Sequence, residues 1–92
     1  MSYRLLYHPE VRERDIPKLD ARAKYRVRSA IEQRLVEHPE QYSVPLRKSL
    51  KGYRKLRVGD YRVVLRIDDD TVTILTVCHR KDVYRQVERR VR

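Results

Sequence analysis

The feature that most constrains this chain is the dipeptide Gly59-Asp60, because of what flanks it. Apolar and polar residues alternate on both sides, YRKLRV before it and YRVVLRID after it. A two-residue turn with glycine between two such runs closes an antiparallel hairpin, since its backbone twist matches that of the strands. The turn pairs Val58 with Tyr61, hence Arg57 with Arg62 and Lys55 with Val64, and partners share a face of the sheet. Leu56, Val58, Tyr61, Val63, Leu65 and Ile67 then form one apolar face, expected to be buried. The opposite face is expected to be cationic.

With Asp69-Asp70 as a second two-residue turn, Ile67 pairs with Val72 and a third strand follows. That register adds Val72, Ile74, Thr76 and Cys78 to the buried face and sets Leu75, Val77 and His79 beside Arg62 and Arg66. Lys55, Arg57, Arg62 and His79 are therefore expected to converge on one surface, with Arg80 and Tyr84 just beyond the strand end. Like charges directly opposite one another destabilise a sheet. An Arg57–Arg62 pairing thus points to an anionic ligand, in competition with the plainer reading of a solvated charged face.

Upstream, residues 2–7 read as a short strand, with Tyr3, Leu5 and Tyr7 alternating against Arg4 and Leu6. Pro9 suits a first helical turn, so a helix is expected over 10–16, interrupted by Pro17. Asp20 is a good N-cap for a longer helix over 21–37, whose apolar stripe is Ala23, Val27, Ala30, Ile31 and Leu35. Residues 39–51 lack clear periodicity and read as a loop, with a helical turn near 46–50. A last helix over 83–91 carries Val83, Val87 and Val91 on one stripe. The expected fold is α+β: a small antiparallel sheet, one N-terminal strand plus a three-strand meander, covered by an N-terminal helix pair, with a short C-terminal helix. Ninety-two residues make one domain, 1–92.

Charge narrows the partners. Lys and Arg number 23 against 13 Asp and Glu, a formal net charge of +10. So basic a small domain suits nucleic acid, an anionic membrane or an acidic protein. No apolar run approaches the ~20 residues of a membrane span and the N-terminal residues do not read as a signal peptide, so the expected location is the cytoplasm. Cys78 has no partner for an internal disulfide and reads as a small core residue.

Metal chemistry finds no ligand spacing in His8, His38, His79 and the lone cysteine, and the acidic run 68–70 reads as turn chemistry. Two glycines cannot build a phosphate-cradling loop, so no cofactor is expected. What remains suits metal-free cleavage of RNA. Attack by a ribose 2′-hydroxyl on the adjacent phosphate needs a proton acceptor, positive charge around the phosphorane and a donor for the leaving oxygen. Arg62, Arg57 and Lys55 offer charge, and His79, with an ordinary pKa near ~6.5, can exchange a proton near neutrality. Tyr84 can stack on a base or hold a phosphate. Taken singly, His79 reads as a hydrogen-bonded surface residue and Tyr84 as packing; the surrounding cations favour the functional reading.

Two segments, 53–64 (YRKLRVGDYRVV) and 78–85 (CHRKDVYR), carry a resemblance to the RelE/ParE toxins of bacterial and archaeal toxin–antitoxin pairs. The order of strand, helix pair, basic hairpin, third strand and short helix is similar throughout. The resemblance implies, for the RelE branch, an endonuclease that cuts messenger RNA in the ribosomal A site. The catalytic set is then Lys55, Arg62, His79, Arg80 and Tyr84, with Tyr53, Arg54, Arg57, Arg47, Lys48 and Lys51 contacting RNA. RelE-type enzymes often carry two lysines two apart in the first hairpin strand, whereas here the alternate position is Tyr53, so Lys55 and His79 both stand as candidates for the general base. The implied partners are a cognate antitoxin, the ribosome and messenger RNA, and operator DNA only together with the antitoxin. A ParE-like inhibitor that binds DNA gyrase without cleaving, and a nucleic-acid-binding module working only with its antitoxin, are the competing readings.

Overall fold

The computed structural model describes residues 2–47 and 52–91. The expected turn is in place: Gly59 takes a positive φ of 59°, at the first turn position where a II′ hairpin uses glycine. In chain order the strands are β1 (Arg4–Tyr7), β2 (Val44–Pro45), β3 (Tyr53–Val58), β4 (Tyr61–Asp68) and β5 (Thr71–His79). They form one sheet in the order β1-β5-β4-β3-β2. The β3–β4 register is the expected one, with Val58 opposite Tyr61 and Arg57 opposite Arg62. Asp69 makes the second turn with φ 52°, a left-handed geometry that aspartate tolerates.

Two strands differ from expectation. β1 joins β5 in parallel, from Arg4 opposite Thr71 to Tyr7 opposite Ile74, so the sheet is mixed and not wholly antiparallel. The helix pair that follows β1 carries the chain across the sheet, which is what makes a parallel pairing possible. The stretch expected as loop contains a helical turn, α2 (Pro39–Tyr42), and the edge strand β2. Pro45 is admissible there because an edge strand need not donate on its outer side. The helical turn expected near 46–50 falls mostly outside the described residues.

The N-terminal helix pair is Val11–Asp15 running into Ile16–Lys18, then α1 (Ala21–Ala30) continuing through Ile31–Leu35. Asp20 caps α1 as expected, its carboxylate accepting from the Ala23 N–H at 2.8 Å. Val27, Ala30, Ile31 and Leu35 of the predicted stripe are buried against Leu56, Val58, Val63, Leu65, Val72 and Ile74. The opposite face is not simply cationic. There α3 (Val83–Arg90) lays Val83 and Val87 on Val64, Leu75 and Cys78, a second apolar cluster that Leu46 completes. The sheet is covered on both sides, and cations are left at one end of the second face.

The third strand's register departs where it matters most. Leu65 pairs with Ile74, but Val64 pairs with Thr76, so a bulge at this step leaves Leu75 unpaired. Beyond it the faces switch. Val77 joins Val63 in the helix-covered core, Thr76 and Cys78 take the register of Val64 and Arg62, and His79 lies opposite Tyr61, away from Arg62.

Candidate active site

At the end of the hairpin, Lys55, Arg62, Arg80, Lys81, Val83 and Tyr84 line one open cleft. They arrive from several elements. Lys55 stands on β3 between Val44 and Val64 of the neighbouring strands, which keeps its stem half-buried. Arg62 is the next cation along that face, and its Nη1 donates to the carbonyls of Gly59 (3.0 Å) and Tyr61 (2.9 Å). Both bonds use the turn as a brace, so the guanidinium plane is fixed while its remaining N–H groups make no hydrogen bond among the described residues. Arg80 leaves β5 in a helical turn, Arg80–Asp82; its N–H donates to the Asp60 carbonyl at 2.9 Å, pinning this segment to the hairpin tip. Tyr84 sits in the first turn of α3, 37% exposed, its hydroxyl accepting from the Arg47 N–H at 3.3 Å.

Four of the five expected catalytic residues therefore meet: Lys55, Arg62, Arg80 and Tyr84. The fifth does not. The bulge places His79 on the other face of the sheet end, in a separate groove with Tyr61. Its Nδ1 accepts from the Lys81 N–H at 3.2 Å and so caps the turn that carries Arg80. Lys81 is the residue sequence reasoning missed; its place next to Arg80 was the available signal.

The expected RNA-contacting residues divide. Arg57 is exposed opposite Arg62, and Arg47 is exposed, with its backbone N–H on the Tyr84 hydroxyl. Arg54 is not available: its guanidinium donates to the Ser43 hydroxyl and carbonyl, both at 2.8 Å, and to the Glu40 carbonyl at 3.1 Å, tying α2 and β2 to the sheet. It points to the face away from Lys55, as strand alternation requires. Tyr53 packs into the second cluster and carries Arg66 over its ring at 6.0 Å. Lys48 and Lys51 lie outside the described residues. Cys78 is buried as expected, though in the second cluster, and burial pushes its thiol up to about 11. It is a poor nucleophile at neutral pH.

A further structural device holds α3 over this region. Asp15 and Arg90, buried at 2% and 5% side-chain exposure, form a two-pronged ion pair of 2.6 and 2.9 Å. Asp15 also accepts from the Thr76 hydroxyl and the Val77 N–H, both at 2.9 Å, closing the part of β5 that β1 does not reach. Arg90 donates to the carbonyl of Leu75, the residue the bulge leaves unpaired, at 3.1 Å. Among the described residues, no cluster of three His, Cys, Asp or Glu side chains could hold a metal ion. None of the described helices is long and apolar enough to cross a membrane.

A mixed five-stranded sheet with helices on both faces and a cationic cleft at one sheet end defines the RelE-like toxin fold, and comparison with known proteins agrees. The family described as "ParE toxin of type II toxin-antitoxin system, parDE" matches residues 7–84. The chain belongs to this family, within the RelE/ParE toxin superfamily. It is 46% identical over 54 residues to Toxin RelG of Mycobacterium tuberculosis, a match covering 56% of this chain and 62% of that one. It is 42% identical over 53 residues to Toxin RelE of the same organism, covering 55% of each. The matched segments thus span less than two thirds of these relatives. Among solved structures, the toxin–antitoxin complex RelBE2 of M. tuberculosis superposes with a TM-score of 0.80 at 36% identity, over 87% of this chain and all of the other. Escherichia coli RelE, solved as a mutant in the free state, gives 0.73 over the full length of both at 20% identity, a likeness of fold.

Proposed function

We propose that this protein is the toxin of a toxin–antitoxin pair and cleaves messenger RNA on the ribosome without a metal. The observation that carries the reading is the meeting of Lys55, Arg62, Arg80 and Tyr84 on one open cleft. In the reaction a 2′-oxygen attacks the adjacent phosphorus and the bond from phosphorus to the 5′-oxygen breaks, leaving a 2′,3′-cyclic phosphate and a 5′-hydroxyl. The proton of the 2′-hydroxyl goes to a base in the cleft, and the leaving oxygen takes a proton from an acid. Arg62 and Arg80 face the phosphorane oxygens, where positioned charge contributes most. Proton exchange falls to Lys55 or the Tyr84 phenol, since His79 faces the other side of the sheet end. The braced guanidinium of Arg62 suits this role because it needs no reorganisation as charge develops.

A cognate antitoxin fits the net charge of +10 as an acidic partner; the M. tuberculosis relative was solved as a toxin–antitoxin complex. The family description, which names ParE, favours a second reading in which the chain binds and inhibits DNA gyrase. One experiment separates them: the purified chain is incubated with messenger RNA alone, with messenger RNA on ribosomes, and with gyrase and relaxed plasmid. Cleavage confined to ribosomes is expected, with supercoiling untouched. Inhibited supercoiling without cut RNA would replace the endonuclease reading with the gyrase one.

A further inference from the structure

The bulge that carries His79 away from Lys55 and Arg62 gives it a different neighbourhood. Its cross-strand partner is Tyr61, and the two rings stand edge to face, centroids 6.2 Å apart and planes at 76°. They border a groove of about 350 Å³ between the Ile16–Lys18 turn and α3, lined also by Lys18, Arg85 and Arg89. Arg85 is paired with Asp82 at 2.6 Å, and the Asp15 carboxylate at the groove's edge is already held by Arg90. Lys18 and Arg89 make no ion pair among the described residues. The groove therefore offers an aromatic pair with two uncompensated cations.

Its position relative to the cleft is fixed by strand geometry. Arg62 directly follows Tyr61 on β4, where successive side chains point to opposite faces, and Arg80 opens the helical turn that leaves β5 directly after His79. The aromatic pair and the cleft therefore lie on opposite sides of one sheet end. RNA with its reacting phosphate at Arg62 and Arg80 would reach the groove by turning around this end.

We propose that the Tyr61–His79 groove is a nucleotide subsite for the RNA flanking the reacting phosphate, one base stacking on the aromatic pair and a phosphate held by Lys18 and Arg89. It rests on the RNA reading above. Stacking on π-faces tolerates any base, and a neighbouring cation neutralises the backbone, which is how single strands are held without a hydrogen-bond code. An acidic protein segment would use the two cations and leave the ring pair without a role.

The test uses the full chain and a hexaribonucleotide whose reacting 2′-hydroxyl is replaced by hydrogen, with 2-aminopurine placed at each position in turn. Stacking quenches the label, so quenching at one flanking position is expected. His79→Leu should abolish that quenching and weaken binding at least about fivefold, the lower end of base–aromatic stacking. Lys18→Ala with Arg89→Ala, both exposed and independent of the aromatic pair, should lower the salt dependence by roughly 0.7 for each phosphate that is no longer neutralised. Quenching and salt dependence unchanged in both variants would overturn the subsite. So would a Lys18, Arg89 variant that binds RNA normally and loses affinity for the antitoxin, which would make the groove a protein site. The cleavage reading fails separately: a wild-type chain that stacks the label yet cuts no messenger RNA on ribosomes keeps the groove and loses the reaction.

Discussion

Replacing Arg90 by alanine should remove a large part of this protein's stability, although Arg90 lies in the last turn of the last helix. Its guanidinium satisfies both Asp15 oxygens, reaches Glu10 at 3.1 Å and answers the Leu75 carbonyl. Arg90→Ala leaves the Asp15 carboxylate buried with only the Thr76 hydroxyl and the Val77 N–H. Breaking a buried ion pair from one side costs about 3–5 kcal/mol, mostly the cost of the stranded charge. That is a large fraction of the ~5–15 kcal/mol that holds a small domain together. At ~4 °C per kcal/mol, the low end for a chain of this size, the lower bound corresponds to a fall in Tm of roughly 12 °C. The Asp15 bond holds the Arg90 pKa above its ordinary value. A raised pKa gives stabilisation that is complete below the unfolded value and lost only as pH rises past the folded one, so Arg90 adds no pH dependence near neutrality. Urea unfolding of wild type, Arg90→Ala and its exposed neighbour variant Arg89→Ala would check this. Arg89→Ala should lie within about 0.5 kcal/mol of wild type. A loss under about 1 kcal/mol for Arg90→Ala would refute the argument, as would equal losses in the two variants. Asp15→Asn beside Arg90→Ala should recover part of the loss, because the neutral amide oxygen can still accept from the Thr76 hydroxyl and the Val77 N–H while no charge is left stranded.

The other expectations follow from single features. Gly59→Ala should destabilise by about 1–2 kcal/mol in thermal unfolding, since φ is 59° and a Cβ would stand 3.1 Å from the Arg26 guanidinium. Cys78 has a raised pKa of about 11 against an ordinary 9.0, so the folded state holds its proton longer and stability should fall with rising pH between those values. Unfolding of wild type beside Cys78→Ala across that window should show a steeper decline in wild type; the half-buried Tyr7 phenol, also raised, leaves a smaller decline in both. Alkylation of Cys78 at neutral pH should be far slower in the folded chain than in urea. At saturating protein, where weaker stacking does not limit the rate, His79→Gln should leave single-turnover cleavage within about tenfold of wild type, whereas a general acid or base in that position would cost ~10²–10⁴-fold.

The hairpin is readable because Gly59-Asp60 fixes turn length, and turn length fixes register. α1 is readable in the same way, because its stripe and Asp20 cap are both local signals. β5 past Leu75 is not. A bulge adds one residue to one strand, and nothing in ILTVCH marks Leu75 as that residue, so regular alternation sets Thr76, Val77, Cys78 and His79 on the wrong faces. The consequence for the site is specific: Lys55, Arg62, Arg80 and Tyr84 share a cleft as the hairpin register implies, while His79 leaves it. The parallel docking of β1 and the Asp15–Arg90 pair are also illegible, since each joins distant parts of the chain in ways that no local pattern encodes. Arg54 shows a third limit. Its charge suggests a ligand contact, but its place opposite β2 gives it two backbone carbonyls and a hydroxyl as acceptors instead.

The measurement that bears most directly on the account is single-turnover cleavage of ribosome-bound messenger RNA by wild type, Arg62→Ala and His79→Ala, each shown to be folded. With the protein at saturating concentration, so that weaker RNA binding does not limit the rate, removing a positioned charge from the phosphorane should slow Arg62→Ala by about 10²–10³-fold, while His79→Ala keeps a rate within about tenfold of wild type. Equal losses in the two variants, or a full rate in Arg62→Ala, would contradict the assignment of the reaction to the cleft formed by Lys55, Arg62, Arg80 and Tyr84.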